Sequence, residues 1–312
     1  MSGIEKILVH VDTQADNGML LEKVARIAKS CGARTELYSP CYNRAIKQGY
    51  LFDNKAEQSA EHRYLKQIEA RLEELARPLL KRGLEVTTDV TWNSHRVEAI
   101  LKQIARYQPD LVVHGIAEHH TLGHLVSSCD WDMMRECPVP LLLLKGRSWG
   151  EALHLSACID PFHECDEPVS LDEAIVSETR IFATALAGRC SYIHSLHTLP
   201  HSAVFDEHVI ADYGALQHRV REQHRDRVAS FLQRFDIDTG AGQLHMLEGE
   251  THKTLPIFAS EQQVDILVVG SVPKGFIDRL LLGSTIERIA DDLVCDMLVV
   301  KPPGFTSPVS DI

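Results

Sequence analysis

The sequence predicts an α/β fold of two tandem domains, each a five-stranded, doubly wound parallel sheet. Three observations point to it. The chain has 312 residues, and a single hydrophobic core rarely keeps growing past about 250–300 residues, so two domains are expected. The chain also repeats itself. Asp110-Leu-Val-Val-His-Gly115 returns 155 residues later as Asp265-Ile-Leu-Val-Val-Gly270, and Pro140-Leu-Leu-Leu-Leu-Lys145 returns 156 residues later as Asp296-Met-Leu-Val-Val-Lys301. Short Val/Ile/Leu-rich runs alternate with longer amphipathic stretches, as in parallel strands covered by helices on both faces.

Each half opens with a short strand ending in aspartate, Ile7 to Asp12 and Leu155 to Asp160. In the first half a helix over 17–30 leads to a strand over 34–40. A long charged stretch over 54–82 follows, with Leu65, Ile68, Leu72, Leu75 and Leu79 on a helical period and Gly83 as its stop. A strand over 84–90, a helix over 96–107, a strand over 111–114, a helix over 128–137 and a strand over 141–144 complete the unit. The second half repeats the order, with helices expected over 171–187, 212–235, 252–262 and 284–293 and strands over 191–197, 243–247, 266–269 and 297–300. Domain limits are therefore expected at 1–147 and 151–303, joined by the polar segment Gly146 to Glu151. A Pro- and Ser-containing tail over 304–312 is expected to be loose.

Composition narrows the function. With 44% hydrophobic and 24% charged residues, neither disorder nor a membrane class is favoured. No apolar run approaches the roughly 18 residues of a spanning helix, and the N-terminus lacks a signal-peptide pattern. A formal net charge of -12 repels polyanions, so direct nucleic-acid binding is not expected. Eight cysteines without a C-x-x-C pair read as reduced thiols of a cytoplasmic protein. Motifs for phosphate-loop, dinucleotide, hydrolase and zinc-protease chemistry are absent from the sequence.

The loop after the fourth strand of the second half carries the family resemblance. Gly270-Ser-Val-Pro273-Lys-Gly-Phe-Ile-Asp-Arg-Leu-Leu-Leu-Gly283-Ser284 resembles the G-x2-G-x9-G-[S/T] loop of the universal stress protein family, with the first and last glycines at the right separation. Pro273 stands where the middle glycine belongs, and Gly275 lies two residues on. The first half departs further: Gly115 to Ser128 is one residue shorter and lacks the terminal glycine. Together with Cys129-Asp130-Trp131, Cys137-Pro138 and Cys295-Asp296, the resemblance covers residues 4–302 and is to tandem members of the family.

That resemblance implies a Rossmann-like fold of the HUP, or adenine nucleotide alpha hydrolase-like, class. It also implies a role in resistance to stress and DNA damage through ligand or partner binding rather than robust catalysis. The expected cofactor is ATP or AMP in the second domain. Asp160 and Thr198 would face the adenine and Gly270 the ribose, with Ser271 and Gly275 in the same loop. Gly283, Ser284 and Thr285 would form an anion cradle at a helix N-terminus, where unpaired N–H groups and the dipole favour phosphate. The bland alternatives stay open. Ser284 or Thr285 can be an ordinary N-cap with Glu287 nearby, and Asp160 can cap its own loop. Proline at 273 removes a donor and fixes φ, which lowers the expected affinity for ATP.

Other candidates are weaker. His114, His119, His120 and His124 could hold zinc, as could His194, His197, His201 and His208, but both sets read more simply as surface histidines. Trp131 and Trp149 read as packing between domains. A small apolar ligand is a further alternative to a nucleotide. Family members commonly dimerise, so the fused halves imply an intramolecular pseudo-dimer, with a homodimer of the whole chain as a further partner arrangement.

Overall fold

The computed structural model describes residues 3–47, 54–116, 126–162, 170–196, 213–240, 242–271 and 289–308. The chain forms two compact units, Met1–Gly150 together with Gly304–Ile312, and Glu151–Pro303.

In the first unit the elements run β1 (Lys6–His10), α1 (Gly18–Cys31), β2 (Arg34–Cys41), α2 (Arg44–Lys47), α3 (Asn54–Lys81), β3 (Val86–Trp92), α4 (Arg96–Tyr107), β4 (Leu111–Gly115), α5 (Ser128–Glu136) and β5 (Leu141–Leu144). The strands are parallel and ordered β3-β2-β1-β4-β5. In the second unit they run β6 (His154–Cys158), α6 (Ser170–Leu186), β7 (Arg189–Leu196), α7 (Tyr213–Gln233), β8 (Leu244–Glu248), α8 (Thr251–Glu261), β9 (Ile266–Gly270) and β10 (Asp296–Val300). Their order, β8-β7-β6-β9-β10, repeats the first and is again parallel. The doubly wound five-stranded class read from the sequence is therefore present in both halves. In each unit the chain winds outward from the central strand and then returns to its other side. A crevice thus opens at the carboxyl ends of β1 and β4, and of β6 and β9.

The duplicated aspartate before the fourth strand has a structural use. Asp110 accepts the backbone N–H groups of Glu5 and Lys6 at 2.9 Å each, and Asp265 accepts that of His154 at 2.8 Å. Each carboxylate thus ties the start of the central strand to its neighbour. Ile7, Leu8, Val9, Val112 and Val113 are fully buried in the first sheet, as are Leu155, Ala157, Leu267 and Val268 in the second. On α3 the residues Ile68, Leu72, Ala76 and Leu79 carry the buried face. Leu65 and Leu75 of the expected stripe are only half-buried.

Some boundaries moved for local reasons. β3 starts at Val86 rather than at 84, because α3 ends in a left-handed cap at Gly83 (φ 79°), with the Leu84 N–H donating to the Leu79 carbonyl. The residues after the glycine close the helix before they can extend. The one-turn α2 was not anticipated: it is too short for a periodic pattern and is set by Asn43, whose side-chain oxygen accepts the N–H groups of Ala45 and Ile46 at 3.0 and 3.4 Å. Of the helix expected over 284–293, only residues from 289 are described, and those are helical to 292. In the tail expected to be loose, Ser307 is buried. Among the described residues, no helix is long and apolar enough to cross a membrane.

Candidate functional site

The crevice of the first unit holds a cavity of about 290 Å3, bordered by the ends of β1, β4 and β5, the loop after β1 and the start of α5. Ligand pockets typically begin near this size, about 300 Å3, so the space suits a small ligand. His10 and His114 are direct partners in the β1–β4 register, which puts both side chains on one face of the sheet at the strand ends. Both are buried. Their Nδ1 atoms lie 2.8 Å apart and the rings are 17° from parallel.

Behind them stands Asp130. Ser127 accepts the Asp130 N–H at 3.3 Å, and the Asp130 carboxylate accepts the Ser127 N–H at 2.6 Å, a capping box that starts α5. The other carboxylate oxygen lies 2.6 Å from His114 Nε2. One aspartate thus caps a helix and anchors a chain of three polar side chains ending at the cavity. Burial works to raise the Asp130 carboxyl, but the bonds from His114 and Ser127 prevail and hold it below the usual carboxylate range. Burial, then repulsion from His114 when that ring is protonated and from Arg96, pushes His10 well down, so it is neutral at neutral pH. Cys129 also lines the cavity. Burial and the adjacent Asp130 carboxylate push its thiol up to about 11, so little thiolate is present.

In the second unit the expected residues are only partly brought together. Asp160 follows β6, and its Oδ1 accepts the Phe162 N–H at 3.3 Å, which is the loop-capping role left open by the sequence. His194 donates Nδ1–H to the Ile159 carbonyl at 3.0 Å and accepts from His224 Nδ1 at 2.9 Å, while Phe162 stacks on His224 with centroids 3.9 Å apart. Burial, then His194, lower His224. Gly270 ends β9, where a Cβ would lie 2.8 Å from Leu171 Cδ2 and 3.0 Å from Ile175 Cδ1; close packing of α6 accounts for this glycine. Ser271 is buried, and its hydroxyl accepts from Lys301 Nζ at 2.9 Å. Thr198, Gly275, Gly283, Ser284 and Thr285 lie outside the described residues, as do Pro273 and the histidines at 119, 120, 124, 197, 201 and 208.

Among the described residues, no group of three His, Cys, Asp or Glu side chains is arranged to hold a metal ion. Trp149, read as packing between domains, stacks in the first unit under Lys23, whose Nζ lies 5.1 Å from the ring centroid, with Arg26 at 6.0 Å. Sequence reasoning noticed His114 only as one of a loop cluster and Asp130 only within the Cys129-Asp130-Trp131 match, and missed His10 and Arg96. The available signal was two histidines, each at the carboxyl end of a strand on either side of the switch in strand order.

Comparison with known proteins agrees with the duplicated fold. The profile described as the Universal stress protein family matches residues 3–145 and 168–301. The second match leaves out β6, which the structure nevertheless places between β7 and β9. Universal stress protein E of Photorhabdus laumondii is 25% identical, with 99% of this chain and 98% of that protein covered; the Escherichia coli K12 protein of the same name shows the same identity and coverage. A functionally unknown protein of Pseudomonas aeruginosa PAO1 superposes with a TM-score of 0.70 at 21% identity, covering 96% of this chain and 93% of that one. A universal stress protein of Archaeoglobus fulgidus superposes at 0.63 with 16% identity, covering 95% and 96%.

Proposed function

The chain belongs to the universal stress protein family, and from that membership we propose that it serves the stress response by binding a small ligand in the crevice of its first unit. Resistance to stress and DNA damage would follow from that binding or from a partner that senses it, and not from robust catalysis. One observation carries the reading: the cavity at the carboxyl ends of β1, β4 and β5, lined by Arg96, Lys145, Asp12 and the His10–His114 pair. This is the position at which open parallel sheets take ligands. The cavity's lining mixes charged and polar side chains with Leu20, Ile116 and Leu144, which suits a small molecule carrying polar groups.

A second reading, an ATP- or AMP-binding sensor with slow ATPase activity in the second unit, is favoured by the placement of Asp160 and Gly270 beside the equivalent crevice. A thermal-shift screen of the full chain against ATP, ADP, AMP and zinc, with native mass spectrometry for a co-purified ligand, separates the two. Ala15 is exposed at the cavity mouth, so Ala15→Trp obstructs the first crevice without disturbing the core. Stabilisation lost in Ala15→Trp but kept in Gly283→Val supports the first-unit site. The reverse pattern replaces it with the second.

A further inference from the structure

The polar chain in the first unit limits where its protons can sit. An ionised carboxylate only accepts, so His114 donates Nε2–H to Asp130 across their 2.6 Å contact. With Nε2 carrying the ring's one proton, His114 holds a lone pair on Nδ1. His10 must donate its own Nδ1–H to it across 2.8 Å. That leaves the lone pair of His10 on Nε2, and among the described residues no group hydrogen-bonds this atom. His10 lines the cavity. Each tautomer follows from the one before it, and the series begins at a carboxylate that the capping box of α5 holds in place.

Resting on the proposal that this cavity binds the ligand, we infer that it is a proton-accepting site for a small molecule with a weakly acidic O–H or N–H. The ligand's O–H or N–H bond breaks, with its electron pair staying on the ligand, and the proton joins His10 Nε2. His10 releases its Nδ1 proton to His114 Nδ1. The positive charge comes to rest on His114, against the Asp130 carboxylate, and His10 is again neutral as its other tautomer. No oxidant or reductant is involved. Other charges around His10 are consistent with this flow. Arg96 on α4 and Lys145 after β5 line the cavity as cations that would face a ligand anion, and burial, His114 and Arg96 disfavour charge on His10 itself. Asp12 and Asp16, in the loop after β1, already accept the N–H groups of Gln14 and Gly18 at 2.9 Å each. Cys129, the remaining titratable neighbour, keeps its proton.

The test uses the full chain and 4-nitrophenol, a single-ring acid of about imidazole's strength whose anion is yellow. Long-range 1H–15N spectra of the histidines, assigned with His10→Gln and His114→Gln, first give the tautomers of the free protein at neutral pH. The expected result is Nδ1–H on His10 and Nε2–H on His114. On adding nitrophenol below its own pKa, its acidity is expected to rise at least about tenfold, with His10 switching to Nε2–H and His114 becoming doubly protonated. His10→Gln is expected to abolish the yellow shift, and Asp130→Asn to reduce it while nitrophenol still binds. An Nε2–H tautomer on His10 in the free protein, or nitrophenol that binds yet keeps its proton, overturns the inference and leaves the ligand-binding proposal standing. Nitrophenol that perturbs neither ring also overturns it, and the nucleotide and co-purification experiments then judge the cavity independently.

Discussion

Replacing Asp130 tests the same chain as an element of stability. The residue is 4% exposed, and its carboxylate accepts both the Ser127 N–H and a ring N–H of His114. Asp130→Ala removes half of a capping box, a loss of about 0.5–2 kcal/mol, and a buried hydrogen bond to a charged group, about 1.5–3 kcal/mol. It also leaves the His114 Nε2–H without an acceptor. These effects overlap at one site, so a total of about 3–4 kcal/mol is expected. Asp130→Asn keeps an oxygen acceptor and should cost about half as much. All three tryptophans of the chain, Trp92, Trp131 and Trp149, lie in the first unit, so tryptophan fluorescence during urea unfolding reports on that unit alone. The folded pKa of Asp130 is depressed. Its ionisation therefore stabilises the fold above the unfolded carboxyl pKa of about 3.9, and the contribution is lost as pH falls from there through the lower folded value. The gap between the wild type and Asp130→Asn should accordingly be full at pH 7 and shrink below about pH 4. A loss under about 1 kcal/mol for Asp130→Ala, or equal losses for Ala and Asn, would refute this account of the site.

Other consequences follow from burial and packing. Gly270→Ala should destabilise the second unit by about 1–3 kcal/mol in chemical denaturation, because its Cβ meets Leu171 at two atoms and Ile175 at a third. Gly115→Ala meets only the tip of Leu20 and should cost under about 1 kcal/mol. Cys129 should react slowly with iodoacetamide at pH 8, since burial and Asp130 hold its thiol near 11, and Asp130→Asn should quicken the reaction as read by peptide mass spectrometry. Burial lowers His154 and His245, so the unfolded chain binds more protons than the folded one as pH drops below the ordinary histidine value of about 6.5. The melting temperature should therefore fall between about pH 6.5 and 5, and His245→Gln should flatten part of that slope.

Much of the architecture was legible because period and repetition are local properties. The runs Leu111–Gly115 and Ile266–Gly270 read as strands by composition alone, and their shared Asp prefix marked them as copies. The long α3 was legible from its apolar spacing and its Gly83 stop, and the reason β3 starts at Val86 rather than 84 lies in the one turn around Gly83. The site was less legible. Glycine spacing drew attention to Gly270, whose lack of a side chain is accounted for by the approach of Leu171 and Ile175. Asp160 was singled out by its strand-end position, and its carboxylate caps the loop that follows.

By itself the sequence determined the duplicated α/β class, the element order and the strand ends where a ligand could bind, because hydrophobic period and strand-helix alternation depend on neighbours along the chain. Only the tertiary structure decided that His10, His114 and Asp130 form one hydrogen-bonded series beside a cavity. Strand register across the crevice sets that proximity: 104 residues separate the two histidines, and the pairing of β1 with β4 brings them opposite each other.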